Sequence, residues 1–524
     1  MGLFDFFKAN RKLGRNTPFI PSPVRSLLTG SGTTRLESTW TNTPTTVDSM
    51  IYQKWKTLVA RSREQVDNND HARKFSLMIR DNVVGPNGFV LNAQIKDPNG
   101  NPDMLASQAI EQAYAIQSEA ENFDVTGRMT RIDMERLAST TLVRDGEIIA
   151  LIKYGAEFGF YGFSIQLIDP VLLDTTHFEK LNNGNSVRHG IEFDANGRAV
   201  AYWFNEYDET QQAYLGYTSR TKRNRVDAQN IIHAFVPEII GQKRGLPWMR
   251  TALGRLRMLS AFEDSALVNA RVGASKMGFF RDPEANPDDQ ENLPVDAEPG
   301  TFENIGTKEF VSFNPQFPDP FIGQFTQSIL KSISSGLGIS YNNLASDLSN
   351  VNFSSIRQGT LEEREFYKGL QVWFSNAFSQ KIYNKWLEVA LLSGKITVAG
   401  KPLKMERKSK YMAVTFQGRR WSWVDPSSEM TANQMAIINN LKSRSEVIRD
   451  SGADPEDVFA EIQRENALMD KLGITPAPPP GSPQASAITT KENTNSVQQN
   501  LRTWKKQIKK RKLPLLIIQR QSVH

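Results

Sequence analysis

The sequence predicts a mainly helical α+β protein built from several structural units. Three features point to it. The chain is 524 residues long, more than one compact core usually holds. Helical periodicity over residues 46–144 gives way to strand patterns over 148–235, an order expected where helices pack beside a sheet. After Pro320 no proline recurs until Pro402, and there Phe366, Leu370, Trp373, Ala377, Ile382, Trp386 and Val389 return at near-helical spacing.

Residues 1–45, rich in Thr, Ser, Pro and Arg, read as an arm. Ile51, Trp55, Leu58 and Val59 mark one face of a first helix, broken by Asp67, Asn68, Asn69 and Asp70. A second helix is expected over 71–84, closed by the turn cluster Gly85, Pro86, Asn87 and Gly88. A third is expected over 104–121 and a fourth over 131–144. Strands follow at 148–154 and 163–168. Residues 190–193 and 198–204, joined by Asp194, Ala195, Asn196 and Gly197, form a hairpin pattern, and 231–235 is a further strand. Residues 46–245 thus predict an α+β domain.

Pro247 can open a helix and the next proline is Pro283, so a helix is expected over 248–279. Met249, Leu253 and Leu256 form its stripe; Ala261, Ala266, Ala270, Gly273 and Ala274 make its second half small enough for close packing. A strand at 310–313 precedes a helix over 321–337. The spacing from Ser355 to Gln358 matches a capping box, so one helix over 356–392 is expected, on the order of 50 Å long. A helix of that length needs partners along it. Strands return at 395–398 and 411–416. Asp425 and Pro426 suit the N-cap and first turn of helices that fill 429–470. From about 475 the chain is poor in large apolar residues and predicted to be disordered.

Composition suits a soluble globular protein, 39% hydrophobic and 23% charged. The absence of Cys removes disulfides and thiolate metal sites and fits a reducing compartment. No apolar run is long enough to span a bilayer, the start lacks a signal-peptide core, and Phe6 stands where myristoylation needs Ser or Thr. A net charge of +6 is too small to imply DNA binding by itself. Its distribution is uneven: residues 281–303 carry eight acids against Arg281, and 491–524 carry nine bases against Glu492.

Phosphate-cradling, zinc-protease and nucleophile-elbow motifs are missing. Gly336 and Gly338 begin a dinucleotide pattern, but Tyr341 takes its third glycine position. The five His (His71, His177, His189, His233 and His524) are scattered, and His233, inside a strand pattern, reads as a core residue. Asp145 and Glu147 are the one tempting carboxylate pair. With Gly146 between them they join a helix pattern to a strand pattern, which favours a turn over a metal site. No catalytic residue, metal or cofactor is expected, and the chain reads as a non-enzyme. The rival readings are a metal-dependent nuclease using Asp145 and Glu147, and a capsid or scaffold component without a channel.

The most informative stretch is 340–358. Four Asn and five Ser crowd between Ser340 and Ser355, with Asp347 the one charged residue and no Gly or Pro. A polar connection of this length between two helices usually has a function. The run from Gly336 to Ser349, followed by Phe353 to Arg357, resembles the portal proteins of tailed bacteriophages, lambda-type family. Five more motifs follow the family's order: Arg61 to Arg63 with Asn68, Asn69 and Asp81 to Gly85; the hairpin Gly190 to Phe204; Ile232 to Phe235; Gly241 to Trp248; and Trp421 to Glu429. Phe353 departs from a usual Tyr, and Ser428 from a common Lys.

The resemblance implies a portal fold assembling into a ring, usually of twelve subunits, through which double-stranded DNA is packaged and ejected. It implies an arm at 1–45, a wing at 46–245, a first stem helix at 246–280, a clip at 281–317 and a second stem helix at 318–339. A channel loop would occupy 340–355, a long helix and return to the wing 356–426, crown helices 427–474 and a basic tail 475–524. The DNA-facing loop residues would be Asn342, Asn343, Ser346, Asp347, Asn350 and Asn352. Asp282, Glu284, Asp288, Asp289 and Glu291 would dock partners at the clip. Implied partners are further copies of the chain, DNA without sequence preference, the terminase large subunit, the major capsid or scaffolding protein and the head completion (neck) proteins, with no membrane. The implied place is the virion's capsid vertex after assembly in the host cytoplasm. A loop without bases would touch DNA without gripping it, since each cationic phosphate contact adds affinity.

Overall fold

The computed structural model describes residues 44–205, 223–274, 278–281, 309–312, 322–349, 352–421, 426–451 and 455–473. The chain divides into two compact units between Arg419 and Arg420.

In the first unit, Thr46 caps α1 (Val47–Asn68) by accepting from the Ser49 amide at 3.3 Å. Ile51, Trp55 and Val59 are buried on one face, with Leu58 half-buried beside them. Asn69 then caps α2 (Asp70–Ile79), which runs into a π turn at Arg80–Val84 and stops at Gly85. The expected third helix ends early: α3 spans Met104–Gln117, and Ala120–Phe123 is a separate turn, α4. Side chains explain the break. Ser118 Oγ donates to the Tyr114 carbonyl at 2.7 Å and Asn122 Nδ2 to the Ile116 carbonyl at 2.9 Å, so the last carbonyls are satisfied without further helix. A Thr130–Asp133 capping box opens α5 (Arg131–Asp145).

A short strand β1 (Val90–Ala93) lies between the first helices. After α5 come β2 (Glu147–Tyr154) and β3 (Phe163–Ile168). A five-stranded antiparallel meander follows: β4 (Glu179–Lys180), β5 (Ser186–Arg188), β6 (Ile191–Phe193), β7 (Ala199–Asn205) and β8 (Arg223–Asp227). The expected hairpin is β6–β7; Asp194 Oδ1 accepts from the Asn196 and Arg198 amides, and Gly197 supplies a φ of 79°. Strand β9 (Ile231–Phe235) returns to pair with β2, which thus sits at the centre of a three-stranded sheet. Ile149, Leu173, Ile191, Tyr202, Phe204 and Ile231 form one core between the two sheets.

A 3₁₀ turn at Trp248–Thr251 leads into α6 (Leu253–Ala274), with Met249, Leu253, Leu256 and Leu259 buried. The expectation of helix to 279 is corrected: Gly278–Arg281 is a strand, β10, paired antiparallel with β11 (Glu309–Ser312), Phe280 opposite Phe310. Glycines at 273 and 278 disfavour helix, and two aromatics in sequence favour the extended pairing. Antiparallel to α6 runs α7 (Ile322–Leu337), with the Phe262 and Phe325 rings 5.2 Å apart and Thr251 Oγ1 donating to the Gly336 carbonyl.

The long helix is present as α9 (Phe353–Phe374), a π turn at Ser375–Ser379 and α10 (Gln380–Leu392), with α8 (Tyr341–Ala345) before it. Its partners are the unit's own core. Phe378, Tyr383 and Trp386 are fully buried, Tyr114 packs 5.0 Å from Trp386, and Phe374 stacks on Phe89. At the π turn, Ser379 Oγ donates to Glu135, itself paired with Arg131. After the small hairpin β12 (Thr397–Val398) and β13 (Lys401–Pro402), the strand expected at 411–416 is shorter. Lys408–Tyr411 is a helical turn, α11, because buried Tyr411 turns its carbonyl to the Tyr383 hydroxyl at 2.7 Å. Only Val414–Gln417, β14, is extended, and it pairs with β1.

The second unit holds α12 (Pro426–Ile438), α13 (Arg444–Ser451) and α14 (Pro455–Leu472). Met430, Met435, Ile438, Leu441, Phe459 and Leu468 are exposed on it. Asp425, residues 1–43 of the arm, the basic tail, Asn350, and Asp282, Glu284, Asp288, Asp289 and Glu291 lie outside the described residues.

Candidate nucleic-acid interface

Residues 340–349 of the polar segment are folded. Ser340 caps α8, and Ser346 ends it in the left-handed region at φ 56°. Asp347 then closes a tight turn: its Oδ2 accepts from the Tyr341 hydroxyl at 2.7 Å and its Oδ1 from the Ser349 amide and hydroxyl at 3.0 and 2.5 Å. The Ser349 donors, then Tyr341, pull the Asp347 carboxyl down to about 2. This side chain therefore stays negative at any working pH.

The helix after the segment begins at Phe353, not at Ile356. Asn352 accepts from the Ser355 amide at 2.8 Å, and Ser355 Oγ accepts from the Asn352 amide. Ser355 belongs to a capping box, but as its third residue; the cap is Asn352, a residue type equally suited to it.

Most of the polar groups expected to face DNA thus have partners inside the chain. Asn343 Nδ2 donates to Glu363, Asp347 holds the turn, Asn352 caps α9, and Ser346 Oγ meets Lys74 Nζ. Asn342 is half-buried and keeps its place on α8. What stands out to solvent is the rim formed by Ser346, Leu348 and Ser349.

Three contributors are invisible from the segment itself. Lys74 comes from α2, its ammonium pushed toward neutrality by burial. Lys331 of α7 sits 5.5 Å from the Tyr341 ring centre and adds its field to Asp347. Glu363 of α9 accepts from the Ser340 amide at 2.5 Å. The segment has no base in its sequence, yet the fold places two beside it.

The Asp145–Glu147 pair lies elsewhere and has another role. Gly146, at φ 92°, ends α5, and its neighbours are wholly buried. Asp145 is held by Arg63 at 2.8 Å and Arg144 at 3.0 Å, and Arg63 also reaches Asp169. Arg244 grips Glu147 through Nε at 2.8 Å and Nη2 at 2.5 Å. His233 Nε2 and the Gly245 amide complete its shell at 3.1 and 2.7 Å. Burial alone would raise the Glu147 pKa; the Arg244 charge and the His233 bond overcome it and hold the carboxyl at about 2. Neither carboxylate opens to solvent or shares a site with the other, so the nuclease reading of this pair has no geometry behind it. His233 is a satisfied core residue. Among the described residues no group of three or more His, Cys, Asp or Glu is arranged to hold a metal ion, and no helix is long and apolar enough to cross a membrane.

Comparison with known proteins gives a consistent result. Residues 33–371 match the family described as phage portal protein, lambda family. A probable portal protein of Halomonas phage phiHAP-1 is 30% identical over 469 residues, covering 87% of this chain and 89% of the relative. Portal protein B of Escherichia phage lambda is 22% identical, covering 85% and 90%. Among solved structures, the neck of a native gene transfer agent particle computed with C12 symmetry gives a TM-score of 0.40 at 11% identity, covering 76% of this chain and 94% of that one.

Proposed function

Because the chain belongs to the lambda family of phage portal proteins, we propose that it forms a ring of its own copies, usually twelve, at one capsid vertex of the virion. Double-stranded DNA passes through the ring during packaging and ejection. The observation that carries the channel assignment is the segment 340–349, a compact ledge between two helices whose rim is uncharged and whose one fixed charge, Asp347, is negative. A ring supports such a ledge from all sides and repels phosphate mildly at each copy. Lys74 and Lys331 are partnered by Ser346 and by Tyr341 with Asp347, which tempers their pull on the duplex. Asn342, Ser346 and Ser349 offer exchangeable contacts to the backbone, and Asn343, Asp347 and Asn352 shape the ledge that presents them.

Exposed apolar residues support assembly. Met258, Leu267 and Val268 line α6, and the second unit carries the set named above, surfaces that a lone chain leaves in water. Negative-stain imaging of the purified protein is expected to give rings with a central hole; shells, sheets or monomers would sink the proposal. Deleting residues 342–350 should leave rings assembled and reduce DNA packaging and retention severalfold. Unchanged packaging would remove the channel role from this segment.

The acidic stretch 281–303 belongs to the same reading as the docking surface for the terminase motor and the neck proteins. Reversing Asp288, Asp289 and Glu291 to Lys should weaken those complexes most at low salt. Affinity that is indifferent to the reversal would reduce the stretch to a solubilising loop. The neighbouring shell or scaffolding protein would meet the outer parts of the ring.

A further inference from the structure

We propose that Glu363 is the positioning residue of the channel ledge, holding α8 in place against the long helix; this rests on the channel reading above. Glu363 lies near the middle of α9 and is 7% exposed. One of its oxygens accepts from the Ser340 amide and the other from Asn343 Nδ2, so a single buried carboxylate holds both the cap and the first turn of α8. Charge-assisted bonds of this kind are the strong ones. Ile339 and Leu344 are buried on either side of the latch. The other end of the segment is fixed to the same helix, where Asn352 caps α9. Both of these anchors belong to α9, while Lys74 of α2 meets Ser346 and Lys331 of α7 faces the Tyr341 ring.

The latch predicts a specific pattern of rescue. In Glu363→Ala both bonds are lost. In Glu363→Gln the amide oxygen still accepts from Ser340, and the Asn343 amide can turn over so that its oxygen accepts from the new NH₂ group. Hydrogen exchange of the full-length protein without DNA should show the amides of 341–349 opening about tenfold faster in Glu363→Ala. Those of α10 and the three-stranded sheet should keep wild-type protection, and Glu363→Gln should return to near wild type. Asn343→Ala, which removes one bond and leaves the carboxylate buried against Ser340, should give an intermediate increase and decides the matter if Glu363→Ala does not fold. Unchanged exchange at 341–349 in the folded variants would overturn the proposal, as would a Gln variant as labile as the Ala one. Because no DNA is present, faster exchange together with unaltered DNA retention would keep the latch and reject the channel reading.

Discussion

Replacing Arg244 with alanine is expected to cost on the order of 3–5 kcal/mol of folding stability, the range for stripping one partner from a buried ion pair. Neither Arg244 nor Glu147 has any solvent exposure. Beyond its paired bonds to Glu147, the guanidinium donates to the carbonyls of Pro170 at 2.9 Å, Leu173 at 3.2 Å and His189 at 3.4 Å, and lies 4.4 Å from the Trp55 ring centre. Removing it leaves the buried Glu147 carboxylate without its counter-charge and takes one donor from each of three buried carbonyls. Lysine cannot replace it, because an ammonium has neither the planar fork nor the stacking face. Urea unfolding of Arg244→Ala and Arg244→Lys against wild type measures the effect. A loss below about 1 kcal/mol would place the pair with surface bridges and refute this account.

The same pair sets an acid limit. The Glu147 carboxyl titrates at about 2 in the folded protein and near 4.5 when free. A depressed carboxyl contributes stability above its unfolded pKa, and that contribution fades as pH falls from 4.5 through 2. About 3 kcal/mol should disappear across this window. A Glu147→Gln variant should lack that part of the acid dependence.

Some of this was legible in the sequence, and the reasons are local. Ile51, Trp55 and Val59 announce α1 because a helix must repeat its buried face. Asp194 to Gly197 announce the hairpin because the turn is made by those four residues alone. The long helix was legible from spacing and from the lack of proline. Its start was not, since Asn352 and Ser355 are both good caps and only the surrounding contacts choose between them. Gly278–Arg281 is not legible as a strand, because a strand is defined by its partner and β11 lies beyond the acidic stretch. The ledge shows the same limit. Its polarity was evident, but Lys74, Lys331 and Glu363 reach it from other helices, and nothing in their local sequence sets them apart. The turn at Asp145 to Glu147 is legible from Gly146, while its real weight, two buried carboxylates held by Arg63, Arg144 and Arg244, appears only in the fold.

A single methyl group at Gly245 should disconnect α6 from the sheet domain. Gly146 and Gly245 pass each other backbone to backbone. A Cβ on Gly245 would sit 2.1 Å from the Gly146 carbonyl oxygen, and one on Gly146 would sit 2.3 Å from the Leu246 carbonyl carbon, besides requiring a side chain at φ 92°. No rotamer relieves a clash between main chains, so the strands of backbone must separate. That separation breaks the bond from Trp55 Nε1 to the Gly245 carbonyl, now 2.8 Å, and the one from the Gly245 amide to Glu147. Gly245→Ala should therefore cost on the order of 3 kcal/mol, the upper end for overpacking. Its second effect matters more: Pro247 and the turn at Trp248–Thr251 follow directly, so the direction of α6 is set at this crossing. If rings need α6 in one orientation, the variant should keep its far-UV helical signal and yet sediment as monomers or irregular oligomers. Gly254→Ala is the matched control, because a Cβ there meets open space and helix propensity favours it by up to about 1 kcal/mol. Rings of normal size and stability from Gly245→Ala would show that the crossing can relax, and that α6 is aimed by its contacts with α1 and α7.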